Sequence, residues 1–440
     1  MSEAVRAANP GSGAPLLRDA NFLRLWAALS CNAIGYEISA LAIPLAAAVL
    51  LQASVMQMSV LKVMELLPPL LFVLPGGALV DRLRSKPLLL ARAVGEALAL
   101  AMIPAAYLFG HLHMGVLCAS VFALAAVSGL FSAAEPCFIN AVLGESRLLD
   151  GYSKIQGAAA VAQALAPGLA GVLVQWLAAP LALLADASLA LAGAALLWGV
   201  NVAEARTRAS LSTAQPLATR PGAPMQRRAP AARWGPRLAG GIGFVWRSPP
   251  LRSVIVQRVL WLMIQQPVMA LLFVYAVRVR GLDAGATGAA FLACGAGGVA
   301  AALLAERLWR AVRIGVRMAA CAGVACAALL AMLAAAPGSG PALPLLAGFL
   351  FIFGFANTYL TVHYAALRGA LTPPEWQGRV FAAATLCGLA LTAAAVLAAG
   401  AASTLAGVPA VLAALAVTGG AVALLSLLRA PRDARHASGR

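Results

Sequence analysis

Long apolar stretches, separated by short polar segments, run through almost the whole chain. A helix needs about 20 apolar residues to cross a bilayer core ~30 Å thick, and hydropathy predicts twelve stretches of that length. They cover 22–48, 55–80, 87–109, 114–139, 156–178, 180–201, 252–277, 286–306, 315–336, 342–365, 379–402 and 406–428. The runs are continuous and rich in Ala and Leu, whereas strands of a membrane barrel alternate with a period of two. We therefore predict an all-α integral membrane protein.

Composition and charge agree with this prediction. Only 11% of residues are charged and 62% are hydrophobic, against about 25% charged residues in soluble domains. Basic residues favour the cytoplasmic side of short loops. With both termini inside, all but three of the 32 Lys and Arg fall in or near cytoplasmic segments; the exceptions are Lys62, Arg278 and Arg280. The net charge of +17 is therefore interpreted as a topology signal, and no nucleic-acid partner is expected.

The predicted spans divide into two groups of six. Residues 202–251 form the only long polar stretch and are predicted to be a cytoplasmic linker between an N-terminal half, 1–201, and a C-terminal half with a short basic tail, 252–440. Towards the end of the linker, 237–247 has apolar residues at helical spacing between cations. This pattern predicts a short amphipathic helix on the inner membrane surface.

A tight charged turn joins the second and third spans. Its residues resemble the signature loop of the major facilitator superfamily, Gly-x-x-x-Asp-Arg-x-Gly-x-Arg-Arg/Lys, with matches at Gly77, Asp81, Arg82 and Lys86. Arg84 stands at the second glycine position and Ser85 at a basic one. A weaker echo, Glu306 and Arg307, follows the eighth span about half a chain later. The resemblance implies two six-helix pseudo-repeats and transport by alternating access.

Three further segments resemble an exporter branch of that superfamily. On the fifth span, Pro167, Gly168 and Gly171 resemble the antiporter motif Gly-Pro-x-x-Gly-Gly. The stretches 240–252 and 371–380 resemble enterobactin exporters and macrolide efflux proteins. The resemblance implies a multi-pass protein of the bacterial inner membrane. It would export an amphipathic small molecule, a siderophore or a drug-like compound, in exchange for protons.

Charged residues within the spans are candidates for proton coupling, because each is costly at mid-bilayer unless paired or hydrated. Glu37 has no basic neighbour on its own helix and can serve as a proton carrier or as a structural hydrogen-bond partner. Glu65 lies three residues from Lys62 on one helical face, as a gating or a structural pair. Glu135 precedes Pro136 within reach of the signature loop. In related exporters the residue at the place of Glu135 pairs with a loop cation, which here would be Arg84 or Arg82.

Other intramembrane charges are interpreted as structural. Arg92 and Glu96 form a pair at i,i+4 on the third span, which is usually peripheral in the resembled fold. Asp186 is expected to bond to nearby backbone or to Ser188.

Polar residues on three spans predict a central substrate cavity with apolar walls. The candidates on the tenth span share one helical face by their i,i+4,i+7 spacing. The predicted lining comprises Asn32, Tyr36, Arg258, Gln265, Gln266, Asn357, Thr361 and Tyr364.

A conformational gate is predicted where the signature loop meets the start of the eleventh span. There Asp81 would latch the two halves together; alternatively it orders only its own turn. The predicted gate comprises Gly77, Asp81, Arg82, Arg84, Lys86, Glu306, Arg307 and Arg379.

The remaining inventory argues against other classes of protein. There is no Walker A loop, His is sparse, and the seven Cys form no CxxC pair. We therefore expect no cofactor, no metal and no enzymatic activity, and a monomer whose partners are substrate, protons and lipid. A lysophospholipid or other lipid flippase and an intramembrane enzyme stay open as alternatives.

Overall fold

The computed structural model describes residues 16–80, 83–143, 147–200, 234–304, 314–335, 342–373 and 376–429. These ranges contain fourteen α-helices, and π-helical turns at 46–50 and 275–279 extend α1 and α9. The helices are α1 (Ala20–Leu45), α2 (Val55–Val80), α3 (Ser85–Leu108), α4 (Met114–Phe131), α5 (Ala134–Leu143), α6 (Leu148–Leu177), α7 (Ala179–Trp198), α8 (Trp234–Arg247), α9 (Pro249–Val274), α10 (Ala284–Leu304), α11 (Ile314–Ala334), α12 (Ala342–Leu371), α13 (Gln377–Ala406) and α14 (Val408–Arg429).

Twelve of the described helices are long and apolar enough to cross a membrane, which confirms the all-α, twelve-span prediction. They are α1 to α4, α6, α7 and α9 to α14. We call the membrane face where α1 begins and α14 ends the near face, and the opposite one the far face. Because the spans alternate in direction, α2 and α10 begin at the far face, whereas α9 and α13 begin at the near face.

The fourth span is shorter than predicted. Hydropathy indicated one helix over 114–139, but α4 ends at Phe131 and α5 begins at Ala134. Pro136 explains the break, because the ring of a proline clashes with the carbonyl four residues earlier, here Ser132. In the first turn of a new helix, a proline is tolerated because its missing N–H has no intrahelical acceptor.

Helix α8 covers the segment where the sequence predicts a helix within the linker. It packs against the start of α13: Phe244 stacks on Trp376 with ring centroids 4.9 Å apart. At Gly241, a Cβ would come within 2.5 Å of the Arg379 carbonyl oxygen, so only glycine permits this approach. The helix is therefore attached to the second half at the near face.

The two groups of six helices repeat one packing pattern, as the predicted pseudo-repeats require. In the first half α2 packs on α4 and α3 on α7; in the second, α10 packs on α12 and α11 on α14. Between the halves, the main contacts are α6 with α10 and α2 with α13. These two contacts are equivalent under the repeat, since each joins the second helix of one half to the fifth of the other.

The described side-chain and glycine contacts between the halves lie towards the far face. Ser59 of α2 packs against Gly400 of α13, and Val63 and Leu66 share an apolar cluster with Val396. In the π-helical extension of α9, the Arg278 guanidinium donates to the Ala53 carbonyl oxygen at 2.6 Å. The halves are thus closed against each other at the far face.

Candidate functional site

A cavity of about 330 Å³ lies between the first half and α9. Its walls come from α1, α2, α3, α4, α7 and α9, and most of its lining is apolar. The apolar lining residues are Ala40, Ile43, Pro44, Met58, Leu61, Pro69, Leu100, Val121, Leu124, Ala125, Met269, Ala270 and Phe273. This size and lining fall within the range of small-molecule pockets, roughly 300–1,000 Å³.

The polar lining is concentrated in the first half. It comprises Asn32, Tyr36, Ser39, Lys62, Glu65, Arg92, Glu96, Ser128 and Asp186. Three of these residues are carboxylates and two are cations. The described lining of the cavity therefore holds one more carboxylate than it holds cations.

Arg92 joins two carboxylates in the cavity wall. Its Nε lies 2.8 Å from Glu96 Oε1 and its Nη1 lies 2.8 Å from Glu135 Oε2. The amide of Asn32 donates to the other Glu96 oxygen at 3.3 Å. A second cavity of about 40 Å³ is lined by these same residues and by Glu135.

This cluster corrects two predictions. The i,i+4 pair of Arg92 and Glu96 does form, but it lines the cavity instead of lying at the periphery of the fold. Glu135 pairs with Arg92 instead of Arg84; the other expected loop cation, Arg82, lies outside the described residues. The reason is the break at Pro136: α5 starts as a new helix, and Glu135 lies in its first turn beside α3.

The predicted pair of Lys62 and Glu65 is confirmed, with Nζ and Oε2 2.8 Å apart. Both residues line the cavity, and Glu65 keeps 43% of its side chain exposed. Tyr36, on the facing helix α1, is 60% exposed and lines the same cavity. Of the three predicted proton-coupling candidates, Glu65 is the one that lies on this cavity.

Asp186 has a different partner from the one predicted. The hydroxyl of Ser39 on α1 donates to its carboxylate, while Ser188 donates to the Ala185 carbonyl oxygen at 2.8 Å. Gly35 lies directly against Asp186, and any Cβ there would overlap the carboxylate. Close packing of α1 on α7 thus places Asp186 in the cavity wall. Ser188 does not bond to Asp186, because it lies two positions away on another face of the helix.

Glu37 lies outside this cavity. It is partly buried on α1, on the side that faces Cys294 of α10. One residue corresponds to about 100° of helix rotation, so Glu37 and the cavity-lining Tyr36 face different helices.

The second-half candidates form a separate polar group. Asn357 accepts from the Trp261 indole at 3.4 Å, and the Thr361 hydroxyl donates to the Asn357 carbonyl oxygen at 2.8 Å. Arg258 lies over the Tyr364 ring. Gln265 and Gln266 are partly buried on α9. The residues that α9 contributes to the cavity are Met269, Ala270 and Phe273. They lie about one helical turn nearer the far face than Gln265 and Gln266.

The predicted gate is described only in part. Asp81, Arg82, Glu306 and Arg307 lie outside the described residues, and Gly77 lies in the last turn of α2. Arg84 is the N-cap residue of α3. The Lys86 ammonium donates to the Trp198 and Val200 carbonyl oxygens, both at 2.8 Å, and so ties the start of α3 to the end of α7. In the first turn of α13, Arg379 stacks on Trp376 at 5.1 Å.

The antiporter-like motif lies at the contact of α6 with α10. A Cβ on Gly171 would come within 2.8 Å of the Gly288 Cα, and one on Gly168 within 2.5 Å of the Leu292 side chain. Pro167 is buried beside them. These small residues allow the two helices, one from each half, to approach backbone to backbone.

Sequence comparison agrees with the architecture. The profile of the Major Facilitator Superfamily matches residues 25–395, most of the chain. The chain belongs to the major facilitator superfamily. Comparison with curated proteins gave no match.

Solved structures of several transporters share the fold of this superfamily member. The nucleoside transporter NupG has a TM-score of 0.69 at 12% identity, covering 93% of this chain and 98% of that one. A bacterial homologue of the iron transporter ferroportin, in an inward-facing state, has a TM-score of 0.67 at 15% identity, covering 94% and 100%. A POT family transporter in complex with a thioalcohol-conjugated peptide scores 0.67 at 13% identity, covering 93% and 96%. The protein is a multi-pass membrane transporter of the major facilitator type.

Proposed function

We propose that this transporter is a secondary active exporter of an amphipathic small molecule, a siderophore or a drug-like compound, working by proton antiport with alternating access. The cavity is the observation that carries the proposal. Its apolar walls suit the apolar part of such a molecule, and its polar groups suit hydrogen bonding. The closed far face belongs to one of the two states that alternating access requires.

The excess carboxylate of the cavity supports proton coupling. Among the described lining residues there are three carboxylates, Glu65, Glu96 and Asp186, and two cations, Lys62 and Arg92; Arg92 is also shared with Glu135. An ionisable group inside a membrane bundle is a functional candidate by default, since its burial is costly. We propose Glu65 as the first coupling residue to test, because it is the exposed carboxylate of the cavity. Glu37 and Glu135 are further candidates outside the cavity.

The export direction is supported by the antiporter-like motif. Pro167, Gly168 and Gly171 lie at the contact of α6 with α10, where the two halves must move against each other. The resemblance to enterobactin exporters and macrolide efflux proteins supports the same direction. The distribution of Lys and Arg supports a near face in the cytoplasm and a location in the bacterial inner membrane. We further propose that one chain suffices for transport.

Proteoliposomes containing the purified chain test the proposed function. Under an imposed proton gradient, we expect gradient-dependent transport of at least one probe among erythromycin, a catecholate siderophore and a lysophospholipid. Transport of the lysophospholipid alone would support the flippase alternative instead. Absence of gradient dependence for every transported probe would contradict antiport.

Variants of the acidic candidates then assign the coupling. We expect Glu65→Gln to abolish gradient-driven transport while leaving downhill movement of the probe. Glu37→Gln and Glu135→Gln serve as parallel variants in the same assay. Full gradient dependence in Glu65→Gln would remove Glu65 from the mechanism and leave the coupling role to the other two residues.

A further inference from the structure

We propose that Arg258, Tyr364 and Arg368 form an anion-binding site in the second half, separate from the cavity. Its ligand is an oxyanion, a phosphate or a carboxylate, carried by an amphipathic molecule. The assignment of that molecule as the transported substrate rests on the proposed function. The site itself rests on three observations, taken in turn below.

The first observation is that two guanidinium groups share one aromatic ring. The Cζ atoms of Arg258 and Arg368 lie 5.7 and 5.8 Å from the centroid of Tyr364, and Arg368 also lies 4.6 Å from the centroid of Phe381. Cation–π contacts attract the guanidinium charges to the rings and use no hydrogen-bond acceptor. The N–H donors at the edges of both groups are thereby left for another ligand.

The second observation is that donors on both arginines are buried without a hydrogen-bond acceptor. These donors are Arg258 Nη1 and Arg368 Nε. In the part of the second half that the structure describes, Asp283 is the only carboxylate, and it accepts from the Ala286 amide at the start of α10 near the far face. Two neighbouring cations without a carboxylate are costly to bury. An oxyanion would satisfy both, since the guanidinium fork matches the spacing of its oxygens.

The third observation is the position of Arg258 on α9. It precedes Met269 by 11 residues and Phe273 by 15, close to three and four helical turns, so the three side chains share one helical face. Met269 and Phe273 line the cavity. Arg258 therefore lies on the cavity-facing side of α9, about 16 Å closer to the near face at 1.5 Å per residue.

This position gives the site a role in orienting the bound molecule. A molecule entering from the near face reaches the two arginines before it reaches the cavity. Its oxyanion would stay at the arginines, because the cavity carries an excess of carboxylates that repel an anion. Its apolar part could then extend along the α9 face towards Met269 and Phe273. The inferred substrate class is an amphipathic molecule with one acidic group.

Direct binding to the full chain, purified in a neutral detergent, tests the site without requiring transport. The probe is dodecyl phosphate, and its binding is measured by the shift in the thermal unfolding temperature of the protein. We expect Arg258→Gln and Arg368→Gln each to weaken binding at least tenfold. Arg252→Gln is the matched control, because it also removes a charge from α9. Arg252 lies over the Trp246 ring and not over Tyr364, so this variant should bind like the wild type. Equal affinity in all four proteins would overturn the proposal.

Competition identifies the source of the oxyanion. Displacement of the probe by phosphatidylglycerol, but not by phosphatidylcholine, would assign the site to a lipid headgroup. Displacement by inorganic phosphate alone would assign it to the free anion, and failure of every anion to compete would overturn the proposal. If a Gln variant does not fold, Arg258→Lys and Arg368→Lys keep the charge and should retain part of the affinity. Probe binding in a protein without proton-driven transport would refute the proposed function and leave the site intact.

Discussion

Gly171 of α6 and Gly288 of α10 meet backbone to backbone across the two halves of the transporter. A Cβ on Gly171 would lie 2.8 Å from the Gly288 Cα, and Leu41 of α1 closes the contact from the side. No Cβ can occupy such a gap without moving a helix, because packed backbones cannot yield as a flexible side chain can. Closure of the far face therefore depends on glycine at both positions.

We expect Gly171→Val to push α6 away from α10 and to open the far face. The reporter is Ser59→Cys in a cysteine-free background, because Ser59 packs against Gly400 across the halves. Its labelling by a membrane-impermeant maleimide should rise several-fold. Gly157→Val is the matched control on α6, since a Cβ at Gly157 meets nothing within 4 Å. Equal labelling in both valine variants would contradict the role of this contact.

We expect Arg92→Met to destabilise the protein by about 3–5 kcal/mol, the usual cost of breaking a buried ion pair. The substitution leaves the buried Glu96 and the partly exposed Glu135 without their shared cation. Unfolding in mixed micelles measures the change. Lys154→Met is the control: it breaks the exposed pair with Asp150 and should cost about 0–1 kcal/mol. Adding Glu96→Gln to Arg92→Met should recover part of the loss; no recovery would argue against charge as its cause.

Ser39→Ala and Ser188→Ala distinguish the observed partner of Asp186 from the one predicted. Ser39 donates to the buried carboxylate, so its loss should cost about 1–3 kcal/mol, as for other buried groups left without a partner. Ser188 donates to its own helix and is exposed, so the second variant should unfold like the wild type. Equal unfolding temperatures for the two variants would exclude the Ser39 bond as a stabilising contact.

Lys86→Met should weaken the attachment of α3 to the end of α7. The ammonium bonds to two carbonyl oxygens at the C-terminal end of α7, where the helix dipole also favours a cation. We expect a loss of about 0.3–2 kcal/mol, the range for a charge at a helix end. Lys86→Arg keeps the charge and should lose less. If the Met and Arg variants are equally stable, the charge contributes nothing there.

Reporter fusions test the proposed orientation. Alkaline phosphatase fused after Arg440, or within 202–251, should be inactive because the enzyme stays in the cytoplasm. Fusion after Gly338, in the connection between the ninth and tenth spans, should give activity in the periplasm. Arg440, Gly338 and the linker residues 202–233 lie outside the described residues, so the sides of the fusion points are predictions from charge distribution. Activity at the linker would contradict the proposed orientation.

The number and type of the membrane helices were predictable from sequence. Hydropathy is a local property, and each apolar run must form a helix in lipid to satisfy its own backbone hydrogen bonds. The pair of Lys62 and Glu65 was also predictable, because three residues on one helix place both side chains on the same face. The family was predictable from the residues of the signature loop, among them Gly77 and Lys86.

The composition of the cavity depended on tertiary structure. The rotation of α1 about its own axis places Tyr36 in the cavity wall and Glu37 on the side that faces α10. The two positions differ by one residue, and hydropathy does not resolve that difference. The partner of Glu135 depended on the break at Pro136, and the partner of Asp186 on the close packing allowed by Gly35. The sequence by itself determined the helices and the family. Only their rotation and packing decided which charges pair, because those contacts join residues far apart in the chain.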